Sequence, residues 1–519
     1  MAKPRKTRTS APDPPVAAVR LPWHTPAPAV PTAVLISLAA LLIRVLVSVG
    51  PYSGQGAAPK FGDYEAQRHW MELTLHLTPA DWYRNTSDND LAYWGLDYPP
   101  LSAYQSLLHG RIINTSLPEA VALRSSRGYE SMESKLLMRW TVLSSDLLVF
   151  FPSALWFVWA YMKLGVGISG EERREGWMWL LALVLISPCL VLIDHGHFQY
   201  NCISLGLTLG AIAGVLSKNE LVGASLFTLA INHKQMSLYF APAFFSHLLG
   251  KCLKQKYPIV EVTKLAFVVL GTFALVWWPF LHSYEAVQQV LSRLAPFERG
   301  IYEDYVANFW CSTSVIIKWK KLFAIKPLKL MSLSATILAF LPSFVQQVKS
   351  PSNLGFLYSL MNNSFSFYLF SYQVHEKSIL LPLLPASLLA LEEPRMYGWF
   401  VYFALFSMYP LICRDQLLLQ YIAVLSLFFL IYYSPGGSYG KRSNISCKAK
   451  LVLSLPFLCS LLLHITYLQI EPPKRYPFLF DALIMFVCFS QFVILAVYTN
   501  YKQWMLDSNS RSIGVKKDL

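Results

Sequence analysis

The sequence predicts an all-α polytopic membrane protein of about 14 transmembrane helices. Three observations lead there. Of 519 residues, 54% are hydrophobic and only 14% are charged, whereas soluble domains carry roughly 25% charge. Apolar runs recur almost from end to end, many of them near the ~20 residues that a helix needs to cross a bilayer, and mean hydropathy is +0.39. No run alternates with the period that a membrane barrel requires.

The spans are expected, in order, near 31–49, 137–162, 176–194, 200–217, 221–233, 235–250, 262–281, 328–346, 353–372, 378–392, 396–412, 416–433, 450–468 and 477–499. The pair 221–233 and 235–250 is short and reads equally as a re-entrant hairpin. The run 309–317 is ambiguous and stays outside the count. Residues 1–30 are proline-rich and basic, with Lys3, Arg5, Lys6 and Arg8, and read as a disordered cytosolic segment. No small-residue cleavage site follows the first apolar run, so that run is read as a retained span. Residues 31–500 form one transmembrane domain, and 501–519 form a cytosolic tail.

The formal charge of +14 sits mostly at the termini and in short loops, where it sets topology and does not indicate nucleic acid. A cytosolic N-terminus, carried through alternating spans, leaves Lys251, Lys254, Lys256, Lys441, Arg442, Lys448 and Lys450 in the cytosol as well. It also leaves the C-terminus there. The last residues, Lys516-Lys517-Asp518-Leu519, read either as a dilysine retrieval signal or as a solvated basic tail. The same alternation gathers the unusual polar segments on the opposite, lumenal face. These are the loop 50–136, His195 to Asn201, His233-Lys234-Gln235, His375-Glu376-Lys377, and 282–308 with Glu298, Arg299, Glu303 and Asp304. The sequons at Asn85 and Asn114 would be lumenal, and the one at Asn444 cytosolic.

Within the long loop, Asp63 follows Gly62 and opens an expected helix from Tyr64 to Leu77. Tyr64, Met71 and Leu75 share one side, and Glu65, Arg68, His69 and Glu72 lie largely elsewhere, as suits a helix resting in the membrane interface. Asp63 reads equally as an N-cap and as a general base. Asp97-Tyr98-Pro99-Pro100 invites a second helix, because proline suits a first turn and holds the preceding residue extended. Asp97 is either a cap and turn residue or a second acid that binds sugar hydroxyls. His375-Glu376-Lys377 sits between two apolar runs, where charge is costly and usually functional; it reads either as an interfacial loop with Lys377 snorkelling or as a site in which Lys377 and His375 bind a phosphate. The histidines at 195 and 197 read as a hydrogen-bonding loop in preference to a metal site. Asp146, inside the second span, is expected to pair within the bundle. Eight scattered cysteines form no disulfide or zinc spacing. Neither a P-loop nor a Rossmann fingerprint appears, so a transferase built this way takes a lipid-borne donor. A transporter is the competing class. Transporters place polar sites near the midplane, often in internal repeats, and neither feature appears here.

Five segments in order make the chain resemble a known family. They are Phe61-Gly62-Asp63-Tyr64-Glu65-Ala66-Gln67-Arg68-His69-Trp70, Tyr93 to Leu101, Ser126 to Glu130, Gly196 to Asn201, and Val374 to Leu380. The resemblance is to the endoplasmic-reticulum glucosyltransferases of N-glycan precursor assembly and covers nearly all of 31–500. It is strongest to the branch adding the first glucose; the branch adding the second usually lacks the Glu-Ala-Gln-Arg-His-Trp continuation. The resemblance implies a GT-C fold with a lumenal site in a multi-pass endoplasmic-reticulum membrane protein. It implies dolichyl-phosphate glucose as donor and a dolichyl-diphosphate-linked oligomannose glycan, Man9GlcNAc2, as acceptor. An α-1,3 linkage would form with inversion, without metal or other cofactor. Asp63 would be the catalytic base. Asp97, Glu65, Arg68, His69, His375, Glu376, Lys377 and Arg299 would bind substrate, with Lys377 and His375 placed for the donor phosphate. Many relatives are expected to carry tyrosine at positions 195 and 233, where this chain has His195 and His233, and neither is given a chemical role.

Overall fold

The computed structural model describes residues 29–164, 170–294, 305–433 and 447–515. Most of the expected N-terminal segment, Arg299 with its acidic neighbours, the Asn444 sequon and the terminal dilysine lie outside the described residues. Among those described, regular structure is helical throughout.

Six helices are long and apolar enough to cross a membrane. They are α1 (Ala29–Ser48), α4 (Met132–Leu164), α5 (Gly176–Phe198), Pro258–Phe280, Ile325–Lys349 and Leu479–Leu506. The expected spans at 200–217, 416–433 and 450–468 fall on shorter apolar helices. The other five fall on helices shorter or less apolar than these, such as Glu220–His233 and Leu380–Leu388. The uncertain pair at 221–250 is two helices joined by a 3-10 segment, Gln235–Phe240. The last helix runs on from Leu479 to Val515, so most of the expected tail continues the final helix.

Outward faces carry bare aliphatic residues. On α1, Val34, Leu38, Leu42 and Leu46 recur every four residues and are exposed, as a lipid-facing stripe requires. The inner helices pack through small residues. On the helix Asn201–Leu216, Gly206, Gly210 and Gly214 form a ladder along one face. A Cβ at Gly206 would lie 2.9 Å from the Phe150 Cα of α4, and one at Gly214 would lie 3.2 Å from the Gly223 Cα. Close backbone approach of this kind replaces the hydrophobic drive that lipid does not supply.

Two π-turns interrupt the inner spans, at Asp146–Phe150 in α4 and Leu192–Phe198 in α5. Such turns re-aim side chains and recur at functional positions. Asp146 there accepts from Arg44 of α1 and from His195 Nε2 at 2.9 Å, the intramembrane pairing expected of it. Arg44 also donates to the Leu185 carbonyl at 2.7 Å.

The long polar loop holds two helices, α2 (Gly62–His76) and α3 (Pro100–Ser116). Every residue of α2 from Tyr64 to Thr74 is buried within the protein, its polar side included. The charges that seemed to need water satisfy one another. Arg68 forms a bidentate pair with Glu65 at 2.7 Å and reaches Glu72 at 2.8 Å. His69 Nδ1 lies 3.0 Å from Glu72, and the Arg124 backbone N–H donates to Glu72 at 2.7 Å.

A candidate active site at one end of the bundle

Asp63 is not the cap of α2. The cap position is Phe61, in the left-handed region at φ 56°, and its side chain makes no capping bond. Gly62 follows at φ 66°. These two residues turn the chain sharply, so that Asp63 enters the first turn with its carboxylate facing other elements. The Asp63 N–H donates to Ser53 Oγ at 3.3 Å, and the Ser53 N–H donates to the His197 carbonyl at 2.9 Å. The start of α2 is thereby tied to the π-turn of α5.

Three donors converge on a single oxygen of Asp63. Lys377 Nζ donates to Oδ2 at 2.6 Å, His197 Nε2 lies 3.0 Å from it, and Gln199 Nε2 also donates to it. Among the described residues no hydrogen bond reaches Oδ1. The Asp63 side chain keeps 22% of its surface exposed and that of Lys377 keeps 21%, so the pair is reachable from outside. Burial works against the charge on Asp63. The Lys377 ammonium, followed by His197, outweighs burial and holds the carboxyl well below the usual carboxylate range. Burial likewise opposes the charge on Lys377, and Asp63 holds its ammonium above the ordinary value.

On its other side His197 Nδ1 bonds Asp415, which follows the short helix Tyr409–Arg414. Lys234 forms the next layer. It donates to Asn201 Oδ1 at 2.7 Å and sits 4.9 Å over the Tyr98 ring. Lys234, Asn201, Ser237, Lys377 and Ser378 line one cavity beside Asp63. The segment 97–102 is stitched to this layer: Gln235 Nε2 donates to the Asp97 carbonyl at 3.0 Å, and Ser102 Oγ donates to the His233 carbonyl. Asp97 is half-buried at this junction and is not a helix cap, because Pro99 holds that position ahead of α3.

The fold therefore brings Asp63 and Lys377 together and sets Asp97 close by. His375 is half-buried one residue before the helical turn that carries Lys377. Glu376 is buried, with Oε1 3.7 Å from Arg414. Glu65, Arg68 and His69 are buried in the α2 charge network behind Asp63, so Arg68 does not touch the acid. Sequence reasoning left Asp415 and Lys234 without roles and read His197 and Gln199 only as part of a hydrogen-bonding loop, which their contacts bear out. A signal for them existed: each falls at a turn that alternating spans place on the same face as the long loop.

The described residues thus form a helical membrane protein in which a partly exposed acid is held by cations from other loops. The chain belongs to the ALG6, ALG8 glycosyltransferase family, which it matches over residues 40–498. It is 58% identical over 490 residues to a "Probable dolichyl pyrophosphate Man9GlcNAc2 alpha-1,3-glucosyltransferase" of Arabidopsis thaliana, covering 93% of this chain and 91% of the relative. Proteins named as dolichyl pyrophosphate Man9GlcNAc2 alpha-1,3-glucosyltransferases are 40% identical in Pongo abelii, over 90% of this chain and 95% of the relative, and 39% identical in Saccharomyces cerevisiae, over 89% and 90%.

Proposed function

We propose that this glycosyltransferase moves glucose from dolichyl-phosphate glucose to the terminal mannose of dolichyl-diphosphate-linked Man9GlcNAc2. In this reading the α-1,3 bond forms with inversion, on the lumenal side of the endoplasmic-reticulum membrane, in a GT-C fold with both termini cytosolic. The observation that carries the reading is the divided carboxylate of Asp63, with Oδ2 held by three donors and Oδ1 left for a substrate.

The acceptor's 3-hydroxyl attacks the glucose anomeric carbon while its proton passes to Asp63 Oδ1. The bond from that carbon to the phosphate oxygen breaks, and its electron pair leaves with dolichyl phosphate. One displacement with one base accounts for inversion. A hydroxyl is a weak nucleophile, and a placed carboxylate contributes on the order of 100- to 10,000-fold. The leaving group departs as an anion and needs positive charge near it. Lys377 and Lys234 line the cavity beside Asp63, and His375 lies two residues before Lys377. Lys377 has two roles in this scheme. It pairs with Asp63 in the empty site and turns to the donor phosphate when that arrives, which releases the base. Asp97 orients sugar hydroxyls.

The test is glucose transfer by the purified full chain with dolichyl-phosphate glucose and Man9GlcNAc2 lipid. Transfer by wild type and its loss in a folded Asp63→Asn variant are expected. Wild-type turnover by Asp63→Asn would remove the base assignment. Extension of only the monoglucosylated acceptor would assign the chain to the second-glucose reaction instead.

A further inference from the structure

We propose that Asp415 is a positioning residue for this reaction: through His197 it holds Asp63 Oδ2, so that Oδ1 stays turned to the acceptor. The inference rests on the reading of Asp63 as base.

Both ring nitrogens of His197 meet carboxylate oxygens, Nδ1 at Asp415 and Nε2 at Asp63. In the proposed line Nδ1 donates to Asp415 and Nε2 to Asp63, which makes the ring an imidazolium, with Lys377 Nζ 3.2 Å from the same Nε2. Asp415 supplies the counter-charge. It is buried at 7% exposure, and with His197 it forms a line of acid, imidazolium and acid that ends on Asp63.

The backbone at each member of this line is held in an unusual conformation. Phe61, Phe198 and Gln416 all have positive φ, at 56°, 89° and 59°, within two residues of Asp63, His197 and Asp415 respectively. Such conformations persist only where the surroundings over-determine them. Arg414 approaches Glu376 beside Lys377, which ties the Asp415 turn to the element that supplies the other clamp on Asp63. Arg139 of α4 donates to the Gly196 carbonyl at 2.8 Å and fixes the π-turn from behind.

The charged and titratable groups around His197 are Asp63 from α2, Lys377 from the turn at 376–379, Asp415, and Arg139 from α4. Asp194 and His195 lie on its own turn, and Lys234 acts through Gln199. Removing the charge of Asp415 takes away one of the two carboxylates that hold the proton on His197, so the imidazolium is less favoured. Asp63 then loses support from one of the two cations that favour its ionised form.

The experiment compares the full-length wild type with Asp415→Asn, Asp415→Glu and His197→Gln. It measures kcat and KM for both substrates across about pH 4.5 to 8, with a thermal unfolding midpoint for each protein. Asp415→Asn is expected to lower kcat about 10- to 100-fold with little change in either KM. It is also expected to move the acidic limb of the pH profile upward, because Asp63 becomes easier to protonate. Asp415→Glu is expected to return the limb toward wild type. Wild-type kcat in Asp415→Asn, or lost activity with an unmoved acidic limb, would overturn the proposal. Should Asp415→Asn fail to fold, His197→Gln gives the decision: a limb moved upward supports the line, and an unmoved limb rejects it. Asp63→Asn in the same assay separates the two claims. If it is inactive while the Asp415 variants behave as wild type, only the positioning role falls.

Discussion

At the residue scale, Asp63, as the proposed base, meets two demands that conflict. A base must accept a proton, yet Lys377 and His197 hold this carboxyl well below its ordinary range. In the proposed mechanism, departure of Lys377 to the donor phosphate resolves the conflict, and it has a kinetic signature. The profile of kcat/KM reports the free enzyme and that of kcat the bound complex. The acidic limb of kcat is therefore expected at higher pH than that of kcat/KM, as steady-state rates at several pH values will show. Coincident limbs would mean that Lys377 stays on Asp63 throughout. A Lys377→Ala variant is expected to lose donor affinity, read directly as donor binding; unchanged binding would remove its phosphate role. Asp63 itself was legible in the sequence as one of two readings. Its partner was not, because the two lie 314 positions apart and no local pattern links them.

At the scale of elements, helix α2 is where sequence reasoning and structure part. Its polar residues match an interfacial helix in spacing, and periodicity cannot reveal that charges compensate one another in the interior. Arg68 is fully buried between Glu65 and Glu72. Removing one member of such a group leaves uncompensated charge and costs about 3–5 kcal/mol. Arg68→Met is therefore expected to lower the unfolding temperature markedly while leaving Asp63 chemically intact. Thermal unfolding in detergent tests this, and an unchanged midpoint would refute it. Burial raises the Glu72 carboxyl, but His69 and then Arg68 bring it down to about 2, from 4.5 in the free side chain. Because the folded value is depressed, its contribution is present above about pH 4.5 and disappears as pH falls toward about 2. Acid unfolding in that window should be blunted in Glu72→Gln. The glycine ladder makes a second element-scale prediction. Gly206→Val puts a side chain where Phe150 backbone already lies, and overpacking of this kind costs about 1–3 kcal/mol. The six long apolar helices were readable from hydropathy. The π-turns were not, since no composition marks an extra residue in a helical turn.

At the scale of the whole molecule, the loops that meet at Asp63 come from the first, middle and last thirds of the chain. Alternating spans had assigned 50–136, 195–201, 233–235 and 375–377 to one face, and residues of all four segments converge in space. The sequons at Asn85 and Asn114 lie exposed in the same long loop. If that face is lumenal, endoglycosidase treatment of protein from intact cells should shift its mobility, and loss of the shift in Asn85→Gln/Asn114→Gln would locate the glycans. The contact between Asp63 and Lys377 also orders events during synthesis. The acid emerges from the ribosome hundreds of residues before its clamp and before Asp415. A growing chain thus displays its carboxylate early and stays without a working centre until its later helices have docked. Truncation before the turn at 376 would leave a membrane-inserted but silent protein, and supplying the missing helices as a separate chain is the natural way to ask whether the two halves find each other.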